Sequence, residues 1–268
     1  MKPILKWAGS KYKIVENIKA VLPAGDRLVE PFVGSAALFL NTDYKSYLLN
    51  DLNKDLINFY KILIEYKKEF ISYCKTFFVP SNNTKDAYLR LREEFNKTND
   101  IFYKSALFLY LNRHGYNGLC RYNSKGWFNV PFGKYDKPYF PQEEMEYFLK
   151  KVERAEVQFT AKDFRDILLE CKTKDVVYCD PPYVPLSKSS NFSSYYTNGF
   201  SMKDHIDLLN LANKLAEKGI PVLISNHNTV WTLTSYSNAK LYNIEVRRTI
   251  SCNGNNRNKV KELLAVFR

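Results

Sequence analysis

Val176-Val177-Tyr178-Cys179-Asp180-Pro181-Pro182-Tyr183 is the stretch that decides how this 268-residue chain is read. An apolar, β-branched and aromatic run that stops at a carboxylate predicts a buried strand delivering Asp180 to the carboxyl edge of a sheet. Neither proline can donate to a sheet ladder, so the strand ends there. Open α/β sheets bind their ligands along that edge. Asp180, the Pro181 carbonyl and the Tyr183 ring then stand close together, a set that suits a planar ring bearing an amine. Asp180 and the Pro181 carbonyl accept its two N–H bonds, and Tyr183 stacks on its face. A bare Asp-Pro-Pro would better suit a rigid turn; the Tyr after the prolines and the Val-Val-Tyr before the Asp reverse that in favour of the pocket.

Working outward, the chain alternates helix and strand. Ile14, Val15, Ile18, Val21 and Leu22 form a helical stripe that stops at Pro23. Arg27 to Phe32 reads as a strand running into Val33-Gly34-Ser35-Ala36-Ala37, where small residues let the backbone approach a ligand. Ser46 to Asn50 is a second strand, and Asp51 follows it where nucleotide folds place a ribose ligand. Leu52 to Phe78 looks helical, after which the alternation lapses. It resumes at Glu156 to Thr160, followed by Ala161-Lys162-Asp163-Phe164 and a helix leading to the Asp180 strand. Ser201 and Asp204 cap the next helix, Gly219 stops it, and Ile220 to Ile224 supplies a further strand. The pattern is a doubly wound α/β domain, residues 1–53 and 146–268, with a mainly helical insertion at 54–145. Ser187 to Gly199 reads as a mobile loop beside Asp180, or else as an ordinary connection.

The insertion carries its own signal. From Ile101 to Phe140 there are six Lys/Arg against one acid, Asp136, with twelve aromatics interleaved. Asn112 to Asn123 holds two glycines and three asparagines, which favour turns over regular helix. Basic and aromatic groups on an ordered loop suit a duplex reader, because Arg pairs bidentately with guanine and a ring can wedge into a stack. The other reading is a small satellite core with a solvated face. A second basic tract, Arg247 to Lys259, reads as a phosphate grip or as solvated surface.

Composition agrees with a polyanionic partner: 40 Lys+Arg stand against 28 Asp+Glu, a net charge of +12. The five cysteines are odd in number and lack C-x-x-C spacing, which points away from a zinc knuckle or a disulfide framework. His114, His205 and His227 are scattered, and no metal is expected. With no signal peptide or spanning apolar run, the expectation is a cytoplasmic, nucleoid-associated monomer.

Taken together, these residues resemble the DNA adenine methyltransferase family that modifies adenine N6 in GATC. The resemblance covers nearly the whole chain: Leu5-Lys6-Trp7-Ala8-Gly9-Ser10-Lys11-Tyr12, Val29-Glu30-Pro31-Phe32-Val33-Gly34, the Leu111 to Asn123 loop, Phe128-Asn129-Val130-Pro131-Phe132-Gly133, Asp180 to Tyr183, Ile224-Ser225-Asn226-His227 and Arg247-Arg248-Thr249-Ile250-Ser251. It implies a Rossmann-like class I methyltransferase domain with an inserted target-recognition domain, S-adenosylmethionine as methyl donor and double-stranded DNA as partner. It also implies roles. Asp180, Pro181, Pro182 and Tyr183 would hold a flipped adenine. Trp7, Lys11, Phe32, Asp51, Asp163, Phe164 and Asp180 would line the cofactor pocket, Asp51 on the ribose hydroxyls. Lys6, Leu119, Arg121, Pro131 and Tyr135 would read the site, Arg121 by its fork to a guanine. Tyr116 and Asn117 would fill the space opened in the stack, and Arg92, Arg113, Asn123, Asn129 and Lys134 would hold phosphates. Ser10 and Ala36 stand where the family usually has Gly, and Asp136 where a base is common.

Three other readings compete. Gly9-Ser10-Lys11 lacks the upstream glycine of a P-loop and has Tyr12 in place of Ser/Thr, which excludes an NTPase. An aminomethyltransferase acting on RNA or on another DNA sequence would share the Asp180 site. A catalytically silent DNA-binding regulator would be expected to lose Asp180 or the cofactor residues, and all are present.

Overall fold

The computed structural model describes residues 1–185, 199–247 and 259–268. The expected loop over Ser187 to Gly199, apart from Gly199, and the basic tract Arg247 to Lys259, apart from its two end residues, lie outside the described residues. The strands are β1 (Arg27–Glu30), β2 (Ser46–Asn50), β3 (Glu156–Thr160), β4 (Asp175–Cys179), β5 (Val222–His227), β6 (Lys240–Arg247) and β7 (Lys259–Phe267). The α-helices are α1 (Val15–Val21), α2 (Lys54–Lys75), α3 (Lys85–Lys97), α4 (Ile101–His114), α5 (Gln142–Val152), α6 (Phe164–Leu169), α7 (Met202–Glu217) and α8 (Val230–Ser235). The chain divides into two compact units. The first comprises Met1–Lys13, Gly34–Thr42 and Asn53–Ala161; the second comprises Ile14–Val33, Asp43–Leu52 and Lys162–Arg268. The first is wider than the 54–145 insertion read from the sequence.

In the second unit the strands run in the order β2-β1-β4-β5-β7-β6. The first four are parallel, while β7 is antiparallel to both β5 and β6. β4 is buried along its whole length, as its unbroken apolar run requires of a parallel strand covered on both faces. Val29, Val177, Cys179, Ile224, Leu263 and Ala265 pack one face against Ile167 and Leu168 of α6 and Leu208, Ala212 and Leu215 of α7. The Ser201–Asp204 capping box forms as its spacing predicts. At the opposite end from the ligand edge, the Arg27 guanidinium binds the Asp175 carboxylate in a fork of 2.9 and 2.6 Å, and Asp175 also accepts the Lys172 N–H at 2.7 Å.

The first unit is built around α4. Its residues from Ser105 to His114 are all buried, so its apolar character runs right round instead of along one stripe. Helices α2 and α3 pack on it. Tyr60 of α2 stacks on Phe148 of α5 at 5.3 Å and on Phe159 of β3 at 5.1 Å, with Phe39 edge-on to both phenylalanines. Those rings explain why residues outside 54–145 join this unit. Many of the interleaved aromatics are therefore core, including Phe108, Tyr110 and Phe128, whereas Tyr116 and Trp127 are exposed.

Asp175→Ala should destabilise the protein by about 2–3 kcal/mol, below the range for fully buried pairs because Arg27 keeps some access to water. An unchanged urea midpoint would show that the fork contributes nothing.

Candidate active site and nucleic-acid interface

The parallel strands reverse direction of progression between β1 and β4, which is where an open α/β sheet opens a crevice. The segments leaving these two strands are Pro31–Val33 and Asp180–Tyr183. Asp180 follows the last residue of β4, as its sequence position demands. Two prolines leave this turn short of backbone donors, and β5 supplies the fastening. The fully buried Asn226 Oδ1 accepts the Val184 N–H at 3.0 Å and the His227 N–H at 2.9 Å, while its amide donates to Tyr236 at 3.2 Å. His227 Nδ1 pairs with the Val184 carbonyl at 2.9 Å, and its ring meets Tyr183 edge-on at 4.7 Å.

Glu262 lies opposite His227 in the β5–β7 register, so the two side chains share a face. The Tyr183 hydroxyl donates to Glu262 Oε2 at 3.0 Å. Burial, with the Asp180 and Glu262 carboxylates adding to it, pushes the Tyr183 phenol well above its ordinary pKa and keeps it neutral. The ring is thus held on its edge and at its tip, which suits a stacking platform. Sequence reasoning assigned no role to Asn226, His227 or Glu262; their position depends on a register across strands distant in sequence.

The residues expected at the cofactor in this unit converge through Asn50, which is fully buried at the end of β2. Its amide donates to the Pro31 and Lys162 carbonyls at 3.0 Å each and accepts the Lys162 N–H at 2.9 Å. That brackets Phe32 and Asp163. Asp51 comes next in the chain and is partly buried. Phe32 lies 5.4 Å from Phe164, with Phe200 edge-on to Phe32 at 5.7 Å. Asp163 caps α6, and its carboxylate is gripped by Arg165 at 3.1 Å. Arg165 also binds Asp204 and Asp207 on α7. Acidic groups and phenyl rings along one sheet edge fit the hydroxyls and purine of a nucleoside. Trp7 and Lys11 belong to the first unit. There Gly34, at φ +47°, would place a Cβ 2.8 Å from the Trp7 indole nitrogen, so only glycine lets that ring sit where it does. Lys11 is buried and donates to the Gly9 carbonyl at 2.7 Å.

Of the two departures from the family's glycines, Ala36 adopts φ +57°, the left-handed backbone that glycine tolerates best. Ser10 does not, and its hydroxyl pairs instead with Ser35 at 2.9 Å. Asp136 is exposed.

The residues expected to read the target site cluster within the first unit. Asn112 at the end of α4 clasps the Lys6 backbone on both sides, at 2.8 and 2.7 Å. The Lys6 ammonium sits 3.9 Å over the Tyr135 ring, and burial, then the neighbouring Arg113 charge, lowers its pKa. The Tyr135 hydroxyl accepts the Asn117 N–H at 2.9 Å. Gly118, at φ +62°, lies so close to Lys6 that a Cβ would overlap it. A short hairpin follows, paired at Tyr122 and Phe128, and it presents Arg121, exposed, beside Asn129. Leu119 is partly buried; Tyr116, Asn117, Pro131 and Lys134 are exposed. Asn123 holds the hairpin turn, its Oδ1 accepting the Lys125 and Trp127 N–H groups at 3.0 Å each. Arg92 donates to the Val130 carbonyl at 2.9 Å.

Arg113 departs from the expected phosphate role. It is 7% exposed, donates to the Ile4 carbonyl and lies 5.4 Å from the Tyr139 ring. Burial lowers its pKa to about 10 against the opposing pull of Glu144 and Tyr139. A guanidinium enclosed in this way is structural, because α4 carries its last turn into the core.

A carboxylate-Pro-Pro-Tyr turn fastened at the crevice of a parallel sheet, with acidic and phenyl groups beside it, fits a transferase acting on a planar amine. The chain belongs to the family of D12 class N6 adenine-specific DNA methyltransferases, whose model matches residues 7–250. It is 51% identical over 267 residues to a DNA adenine methylase of Vibrio cholerae, covering 99% of this chain and 96% of that protein. The corresponding figures are 49% over 267 residues for a DNA adenine methylase of Escherichia coli K12, covering 100% and 95%, and 50% over 268 residues for one of Serratia marcescens, covering 100% and 98%. Its activity is methylation of adenine N6 in DNA.

Glu262→Ala removes the acceptor at the tip of Tyr183. With that anchor gone the Tyr183 ring is held less closely, and kcat should fall by roughly ten-fold through lost positioning. An unchanged kcat would show that Tyr183 needs no such anchor.

Proposed function

We propose that the chain transfers a methyl group from S-adenosylmethionine to the N6 of a flipped-out adenine in double-stranded GATC. The observation that carries this reading is the Asp180–Tyr183 turn fastened by Asn226, His227 and Glu262. The names of the relatives, DNA adenine methylases, support the same reading.

When bound, S-adenosylmethionine supplies an electrophilic methyl group. Asp51 suits its ribose hydroxyls, and Phe32 and Phe164 suit its purine, a donor set whose chemistry fits a nucleoside. Adenine N6 is a poor nucleophile because its lone pair is delocalised into the ring, and within a duplex it is out of reach. Extruding the base costs roughly a few kcal/mol. Asp180 and the Pro181 carbonyl accept the two N6 hydrogens, drawing the amine out of planarity and localising its lone pair. Tyr183 stacks on the ring and holds N6 between the two acceptors. Positioning and charge complementarity supply most of the catalysis. Lys6, Leu119, Arg121, Pro131 and Tyr135 read the sequence, Arg121 pairing with a guanine and the apolar pair pressing on thymine methyls.

Asp180→Ala should lower single-turnover methyl transfer by roughly 10²–10³-fold or more. Binding to a GATC duplex in a gel-shift assay should stay within about three-fold of the parent, since phosphate and groove contacts dominate affinity. A variant that methylates at the parental rate would overturn the mechanism.

A further inference from the structure

We infer that Asn129 is a positioning residue for base reading, locking the guanidinium of Arg121 so that its terminal fork meets one guanine of the target. This deepens the reading of Arg121 given above and rests on it.

Arg121 is exposed, yet its guanidinium is committed on one edge before any nucleic acid arrives. Its Nε donates to Asn129 Oδ1 at 2.7 Å, and its Nη2 donates to the Asn129 carbonyl at 3.2 Å. The Asn129 N–H in turn donates to the Arg121 carbonyl at 3.0 Å, so side chain and backbone fix the same pair. A guanidinium carries five N–H donors in a rigid plane. With Nε and one hydrogen of Nη2 taken, those left are both hydrogens of Nη1 and one of Nη2. The free end of the plane therefore presents two parallel N–H bonds, the shape that guanine O6 and N7 accept together.

Asn129 can serve as a fixed post because its neighbours on both sides are held. Phe128 is clasped by the Asn96 amide, N–H to Oδ1 at 2.7 Å and Nδ2 to carbonyl at 3.1 Å. The Val130 carbonyl accepts from Tyr88 at 3.0 Å and from Arg92 at 2.9 Å. Across the hairpin, Tyr122 lies edge-on to Phe128 at 5.7 Å, and its hydroxyl donates to Asp55 at 2.8 Å. An unrestrained surface arginine loses about 2 kcal/mol of rotamer entropy when it is ordered, and fixing it beforehand spares that cost at binding. A role for Asn129 in holding a phosphate would engage its Nδ2, since a phosphate oxygen only accepts, and would carry no sequence information, because the backbone phosphates are alike at every base.

The test measures kcat/KM on duplexes in which each base pair of the target is exchanged singly, for the parent, Asn129→Ala, Asn129→Asp and Arg121→Ala. Arg121→Ala should relax discrimination at one base pair. Asn129→Ala should relax it at that same base pair by about ten-fold, leaving the other positions discriminated as in the parent. Asn129→Asp keeps an acceptor for Nε and should restore most of the loss, which a fold defect would not allow. A uniform fall over all duplexes, relaxation at a different base pair, or parental discrimination in Asn129→Ala would overturn the inference while leaving the Arg121 reading intact. Parental discrimination in Arg121→Ala would overturn both.

Discussion

One carboxamide oxygen fixes the centre of the second unit: Asn226 Oδ1, fully buried, accepts two backbone N–H groups, those of Val184 and His227. The demand for it follows from composition. A turn that must expose a carbonyl and a carboxylate needs residues that cannot continue the ladder, and two prolines meet that need. The same prolines remove the donors that would otherwise pin the turn to the sheet. Buried backbone groups must be satisfied, so the fastening has to come from a neighbouring strand. Asn226 provides it from the end of β5, and His227 and Glu262 extend it to Tyr183. A catalytic constellation is only as good as the groups that hold it, and a misplacement of about an ångström can cost roughly 10²-fold in rate.

The first unit solves a comparable problem by different means. The proposed base reading needs long polar side chains at the surface, where they are entropically loose. Here Lys6 lies over the Tyr135 ring with its backbone clasped by Asn112, and Arg121 lies against Asn129. Behind them stands an aromatic core wrapped around α4, which supplies rigidity and no chemistry. Most of the interleaved rings build the scaffold, and a few, Tyr116 and Trp127 among them, are exposed.

Local signals carried much of the fold. The limits of β2 and β3, Asp51 after β2, the Ser201–Asp204 capping box and Asp180 at the end of β4 each follow from a few neighbouring residues. The fastenings were not legible, because they depend on long-range pairing. Nothing near Glu262 reveals that β7 runs antiparallel to β5 and sets it opposite His227. Asn50 joins two segments more than a hundred residues apart. Arg113 was misread for an instructive reason. The family resemblance implied a phosphate role, while the unbroken apolar run Ala106-Leu107-Phe108-Leu109-Tyr110-Leu111 just before it signals a helix buried on every side. That run outweighs the charge.

The most direct test is methyl transfer from labelled S-adenosylmethionine into a GATC duplex, a duplex of the same composition with the site scrambled, and an RNA duplex of matching sequence, followed by nucleoside analysis of the product. The expected result is label in N6-methyladenine from the GATC duplex alone. Equal labelling of the scrambled or RNA duplex, or label on any other atom, would contradict the account.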